Sequence, residues 1–157
     1  AAVMTVSDAG SKGERVDTAG PACQEILRDA GFEIALTSIV PDEPDRIAEL
    51  LRRWADEEHI NVIVTTGGTG LSPRDRTPEA TQAVCDYLVP GIGEAMRAQS
   101  LAVTPMAMIS RALAGVRGTT LIVNVPGSER GARENLAVAL PVLAHAVALL
   151  GGNTGHS

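Results

Sequence analysis

The segment Thr66-Gly-Gly-Thr-Gly-Leu-Ser-Pro-Arg-Asp-Arg76 concentrates more potential chemistry than any other stretch of the sequence. In Gly67-Gly-Thr-Gly70 the missing side chains let backbone N–H groups come close to an anion. A helix starting downstream adds its positive end, and together these suit phosphate. The loop fits neither common phosphate fingerprint. A Walker loop requires GxxxxGK[ST] and no Lys is present, and a GxGxxG begun at Gly68 would need glycine where Pro73 stands. On spacing alone, a ligand loop and a plain connecting turn fit equally well. Asp75, inside Arg74-Asp-Arg76, is either a solvated charge of little energetic weight or a holder of Mg²⁺ over a bound phosphate. That ion is commonly bound by one or two carboxylates plus substrate phosphates. Asp42, in Asp42-Glu-Pro-Asp45, has a simple alternative as the N-cap of a helix. Two carboxylates near a phosphate loop would suit metal-assisted phosphoryl or nucleotidyl transfer. Ser7, Asp8 and Ser11 are more simply read as turn caps than as ligands. Ser110-Arg111 either offers a hydroxyl and a guanidinium to an anion or ends a surface helix. His59, His145 and His156 lack metal-ligand spacing, so no zinc site is expected, and a GxSxG nucleophile elbow is absent.

These residues can act together only if the elements deliver them to one place. Ala1–Val6 reads as a strand leading into the Ser7–Ser11 loop, and a helix starts near Gly20-Pro21 with Cys23, Ile26, Leu27 and Ala30 on one face and Gly31 as its stop. An extended run within Phe32–Val40 ends at Pro41. From Glu43 to Glu57, Ile47, Leu50, Leu51 and Trp54 share a helix face. Ile60–Thr65 has the near-continuous apolar character of a parallel strand covered on both faces. After the Gly-rich loop comes a helix with Thr77 as N-cap and Pro78 at its first position. The spacing then predicts helix over Pro90–Ala114, interrupted at Gly91, Gly93 and Pro105, and a strand over Thr119–Val123. A second strand-to-helix loop, Asn124-Val-Pro-Gly-Ser128, follows. Pro141 is expected to divide Glu129–Leu150 into two helices joined near Leu140. Alternating strands and helices predict an α/β domain over residues 1–150, with a tail over 151–157. In such a sheet both Gly-rich loops, Asp42 and Asp75 emerge at strand carboxyl ends, where ligands collect.

Composition narrows the partners. With 157 residues, 45% hydrophobic and 20% charged, the chain is one domain able to bury roughly 68–70% of its unfolded surface. Thirteen basic against nineteen acidic residues give a net charge of -6, which disfavours a polyanion but not one small phosphorylated ligand. The only aromatics are Phe32, Trp54 and Tyr87, so the core must be aliphatic and no stacking platform for bases exists. No nucleic acid is expected. Cys23 and Cys85 lack CxxC spacing and read as reduced thiols in apolar surroundings. With no apolar run near the ~18–20 residues of a membrane span and no signal-peptide order at the start, neither membrane association nor export is expected; the location is cytoplasmic.

Taken in order along the chain, the motifs resemble the MogA/MoaB molybdopterin-binding family, which also includes a domain of gephyrin. Thr65-Thr-Gly-Gly-Thr-Gly70 with Asp75-Arg-Thr-Pro78 resembles the family signature. Thr5-Val-Ser-Asp8, Asp17 with Gly20-Pro21, and Val40-Pro-Asp-Glu43 resemble its earlier elements. Pro90-Gly91 with Glu94 and Arg97, Thr104-Pro105 with Ser110-Arg111, and Asn124-Val-Pro-Gly-Ser128 resemble its later ones. The family's last loop often continues Pro-Lys, where Glu129-Arg130 stands here, which changes the charge of that edge. The resemblance implies a three-layer α/β/α fold with a mostly parallel, Rossmann-like sheet, assembled as a trimer or hexamer. It implies that molybdopterin and ATP are substrates, that Mg²⁺ is the cofactor, and that the terminal phosphate of molybdopterin is adenylylated with release of pyrophosphate. A molybdenum insertase is the implied partner, metal insertion not being expected of this chain itself. Asp42 and Asp75 match the essential acidic positions, as catalytic residues and Mg²⁺ ligands. Ser7, Asp8, Thr66, Gly67, Gly68, Thr69, Gly70, Ser110, Asn124, Pro126, Gly127 and Ser128 match the substrate-binding positions. A module of the same fold that only carries molybdopterin is the alternative, and the retained aspartate pair favours transfer. A bare scaffold would leave that pair without a purpose.

Overall fold

In a computed structural model, which describes residues 1–152, the short apolar runs become six strands. These are β1 Ala2–Val6, β2 Leu36–Val40, β3 Val62–Thr66, β4 Tyr87–Leu88, β5 Ala114–Arg117 and β6 Thr120–Val125. The helices are α1 Asp8–Ser11, α2 Ala19–Asp29, α3 Pro44–Asp56, α4 Thr77–Val84, α5 Pro90–Leu101 and α6 Glu129–Leu150, with a 3-10 turn over Pro105–Ile109. The strands form one sheet in the order β2-β1-β3-β6-β5-β4. The first four run parallel; β5 and β4 form an antiparallel edge.

Side chains alternate across the pleat and so divide the core in two. Val3, Val62, Val64 and Val123 face Cys23 and Leu27 of α2, Met96 of α5 and Leu136 of α6. Ala2, Met4, Ile63 and Ile122 face Ile47, Leu51 and Trp54 of α3 and Val84 of α4. Helices therefore cover both sheet faces, giving the expected three-layer α/β/α arrangement, and the core is aliphatic apart from Trp54. Cys23 and Cys85 are both free, and burial pushes their thiols up to about 12 and about 11. Little thiolate exists at neutral pH to react.

The sheet departs from the sequence expectations at four places. Helix α5 runs straight through Gly91 and Gly93 and ends at Leu101 rather than continuing to Ala114. Ala114–Arg117 is instead a strand, whose small buried residues lie against β6 through a turn at Gly118, φ +57°. Thr77 is the first residue of α4, with Arg76 in the cap position. Pro141 lies inside an unbroken α6 of 22 residues. An interior proline costs ~3 kcal/mol or more, and the packing of α6 on α2, α5 and the sheet outweighs it. By length and composition alone α6 could also cross a membrane. Its stripe of Ala132, Leu136, Ala139 and Leu143 is buried in the core, so here it is a core helix. Of the expected tail, Gly151 and Gly152 form an exposed turn and 153–157 lie outside the described residues.

The chain passes from β1 to β2 on one side and then returns to place β3 on the other. The switch in strand order therefore falls between β1 and β3, where their carboxyl ends part and leave a crevice.

Candidate functional site

The Gly67–Gly70 loop leaves β3 at this crevice and turns back sharply. Gly67 has φ +106° and Gly68 φ +68°, conformations open to glycine at no steric cost. A β-carbon on Gly67 would overlap the Val6 carbonyl oxygen, so the loop lies directly against the end of β1. The loop after β6 meets it from the other side: a β-carbon on Gly127 would stand 3.2 Å from Gly67 Cα. Thr66 Oγ1 donates to Pro126 C=O at 2.6 Å, and Gly67 N–H donates to Val125 C=O at 3.1 Å. The two loops are thus bonded back to back. The Gly67 N–H serves this junction rather than an anion.

Two clefts flank the junction. One, of about 540 Å³, is lined by Ser7, Asp42, Thr66, Gly67, Gly68, Asp75, Gly127 and Ser128, together with Arg15 and Asp17. The other, of about 410 Å³, takes Thr69, Gly70, Ser110, Pro126 and the opposite side of Ser128, with Arg97 and Asn135. Ser128 is shared and also caps α6, its Oγ accepting from Gly131 N–H at 3.0 Å.

Both aspartates lie in the first cleft, each half-buried and each with one oxygen tethered. Asp42 Oδ2 accepts from Asp8 N–H at 2.9 Å, and Asp75 Oδ2 accepts from Ser72 N–H at 3.1 Å. The cap reading of Asp42 is corrected: Glu43 holds the cap position of α3, with no side-chain cap bond. Burial pushes the Asp42 carboxyl up, the neighbouring Asp8 and Asp75 carboxylates add to this, and the Asp8 N–H opposes it. Oxygen donors of this kind fit a hard cation. Among the described residues no three His, Cys, Asp or Glu side chains gather to hold a metal. An ion at the pair would therefore need oxygens from a ligand, as an Mg²⁺–phosphate complex supplies.

Other expected contacts lie elsewhere. Asp8 lines neither cleft. Arg74 grips its carboxylate through Nε at 2.7 Å and Nη2 at 2.9 Å, and Asp42 N–H donates to it at 2.9 Å. The Arg74 bonds, then that N–H, hold Asp8 down to about 2. Asn124 lies near the end of β6 and is fully buried. Its amide donates to Thr65 Oγ1 at 2.8 Å and Thr81 Oγ1 at 3.0 Å, so it cannot reach a ligand. Ser7 caps α1 by accepting from Gly10 N–H, as the cap reading expected, and still lines the cleft. The Arg111 guanidinium is engaged within the chain rather than offered to a ligand: it donates to Gly70 C=O at 2.9 Å and Asp75 C=O at 2.6 Å and pairs with Glu79. With Arg111 N–H on Thr69 C=O, it braces the whole Thr69–Asp75 turn from behind.

Sequence reasoning gave Asp17 no chemical role. Its carboxylate accepts from Thr5 Oγ1 and from Gly20 N–H, three residues on. That cap-like spacing was the available signal. Arg97, whose Nη1 donates to Ala112 C=O at 2.6 Å, entered only through the family resemblance, because its partner lies in the irregular segment just before β5, which the sequence pattern reads as helix.

Residues 2–145 match the family described as "Probable molybdopterin binding domain". The chain is 42% identical over 153 residues to a molybdopterin adenylyltransferase of Helicobacter pylori, covering 96% of this chain and 87% of that protein. It is 36% identical to a molybdenum cofactor biosynthesis bifunctional protein of Chlorobaculum tepidum, covering 99% of this chain but 49% of that one. Among solved structures it superposes on the molybdopterin biosynthesis enzyme MoaB of Thermus thermophilus with a TM-score of 0.91, at 55% identity and 96% and 95% coverage.

Proposed function

The chain belongs to the molybdopterin-binding domain family, and from that premise we propose that it is a molybdopterin adenylyltransferase of molybdenum cofactor biosynthesis. The observation that carries this reading is the placement of Asp42 and Asp75 in one cleft beside the Gly67–Gly70 loop, across the Ser128 wall from a second cleft. A transfer between two substrates needs two adjoining sites with the reacting phosphates at their boundary. A carrier needs only one.

In this reading ATP and molybdopterin are the substrates. An oxygen of the terminal phosphate of molybdopterin attacks the α-phosphorus of ATP; the bond from that phosphorus to the bridging oxygen breaks, and pyrophosphate leaves. The free oxygens of Asp42 and Asp75 would hold Mg²⁺, which when bound neutralises phosphate charge and orients the leaving group. The chain's own part is positioning. Gly68 and Gly70 let the phosphates approach the backbone, Ser7, Thr66, Gly127 and Ser128 bound the first cleft, and Thr69, Ser110 and Pro126 bound the second.

The exposed Leu101, Val103, Met106, Met108 and Ile109 support self-association as a trimer or hexamer. The Chlorobaculum relative has as much chain again beyond the matched part, which supports hand-over of the product to an insertase. The proposed setting is the cytoplasm, and the domain is proposed to span residues 1–150.

Incubation with molybdopterin, ATP and Mg²⁺ is expected to yield adenylylated molybdopterin and pyrophosphate. Asp75→Asn keeps the shape but not the charge and is expected to lose turnover by at least ~100-fold while still binding molybdopterin. Full turnover in that variant would remove Asp75 from the chemistry. Binding without any transfer by the wild-type chain would favour the carrier.

A further inference from the structure

Thr77 Oγ1 is a buried side-chain polar atom with no hydrogen-bond partner among the described residues. The residue opens α4, and its N–H donates to Gly68 C=O at 3.1 Å, so the hydroxyl is fastened immediately behind the glycine loop. A β-carbon on Gly68 would overlap this hydroxyl and come 3.2 Å from Asp42 Oδ1. Both oxygens therefore border the space that a side chain on Gly68 would fill.

The two oxygens complement each other. Thr77 Oγ1 has a proton to give. Asp42 Oδ2 is tethered by the Asp8 N–H, whereas Oδ1 accepts no hydrogen bond among the described residues. Folded proteins rarely leave a buried hydroxyl unmet, because it loses its bonds to water and gains nothing in return. Valine would fill the same volume without that loss, so packing alone does not explain a threonine here.

The geometry points to Thr77 as the positioning residue for Asp42: with substrate in the cleft, its hydroxyl donates to Asp42 Oδ1 past Gly68 and fixes the rotation of the carboxylate. The remaining lone pairs of the carboxylate then stay free for the Mg²⁺ it would hold beside the phosphates, a carboxylate having about four acceptor sites in all. Gly68 is required on this account for a second reason, since any side chain there would stand between donor and acceptor. The inference rests on Asp42 acting in transfer as proposed above.

Thermal unfolding and adenylyl-transfer kinetics of Thr77→Val, Thr77→Ser and Asp42→Asn test it. Thr77→Val should unfold at the wild-type temperature or above, lose about tenfold or more in kcat, and keep its KM for ATP within about twofold. Thr77→Ser, which restores the hydroxyl, should recover most of that kcat. Wild-type kcat in Thr77→Val, alongside lost turnover in Asp42→Asn, would overturn the role of Thr77 and leave that of the carboxylate standing. So would a clear drop in the unfolding temperature of Thr77→Val, or failure of the serine variant to recover. Full turnover in Asp42→Asn would remove Asp42 from the chemistry, and the role of Thr77 with it, whereas absence of transfer by the wild-type chain would overturn the functional reading itself.

Discussion

Asp8 and Asp42 exchange backbone hydrogen bonds, yet their carboxyls move in opposite directions. Arg74 holds Asp8 ionised, whereas burial and two neighbouring carboxylates work against the ionised form of Asp42. The consequence for stability can be signed. A carboxyl whose pKa rises on folding costs stability once the pH passes its unfolded value near ~4, and the cost is complete above the folded value. Asp42→Asn removes that cost, and the amide oxygen can still accept from Asp8 N–H. The variant should therefore unfold at the same or a higher temperature than wild type at pH 7, with the advantage vanishing below about pH 4, while transfer is lost. Melting curves across that pH range check this, and a variant both less stable and fully active would contradict it. Residues of this kind are carried for chemistry at some expense to the fold.

At the scale of elements, the site depends on a loop braced from a residue 36 to 41 positions further along the chain. Arg111 reaches Gly70 C=O, Asp75 C=O and Glu79 at once because its guanidinium is a planar fork, a geometry the point charge of lysine does not reproduce. Arg111→Lys should leave the fold intact, loosen the Thr69–Asp75 turn and lower kcat/KM by on the order of 10- to 100-fold. Amide exchange confined to that turn should quicken; unchanged exchange would show that the brace is dispensable. The sequence revealed the Gly-rich loop, α3 and the buried β3 because glycine spacing and apolar period are local signals. It did not reveal the brace, since Arg111 reads equally well as an anion ligand and only the fold shows its donors already engaged. It missed β4, two residues long, and β5, whose Ala-Gly-rich run has no strong strand period. It also read Asn124 as a loop residue, for its motif continues without a break from β6 into the turn. At Pro141 the local rule was sound and packing overrode it.

For the whole molecule, the exposed methionines and aliphatics between Leu101 and Ile109 are the feature that a single copy leaves unexplained. Met108, 68% exposed on the 3-10 turn, is the position to probe. Met108→Asp should convert the proposed assembly to monomers by light scattering without changing the circular dichroism of the fold, because an ionised carboxylate in an apolar contact is strongly disfavoured. A monomeric wild type would dispose of the assembly. A different global property follows from Asn124. Thr65 of β3 stands opposite Asn124 of β6 in the sheet, and the buried amide joins them while also holding Thr81. Were β6 to slide by one residue, the Pro126–Ser128 turn would shift about 3.3 Å against Gly67 and Asn124 would swing to the other face. Two buried threonine hydroxyls would be stranded at the same time. A misaligned sheet is thus penalised most heavily at the very pair of strands whose ends must meet, so the chain proofreads its own assembly: molecules that settle are those in which the two loops already match.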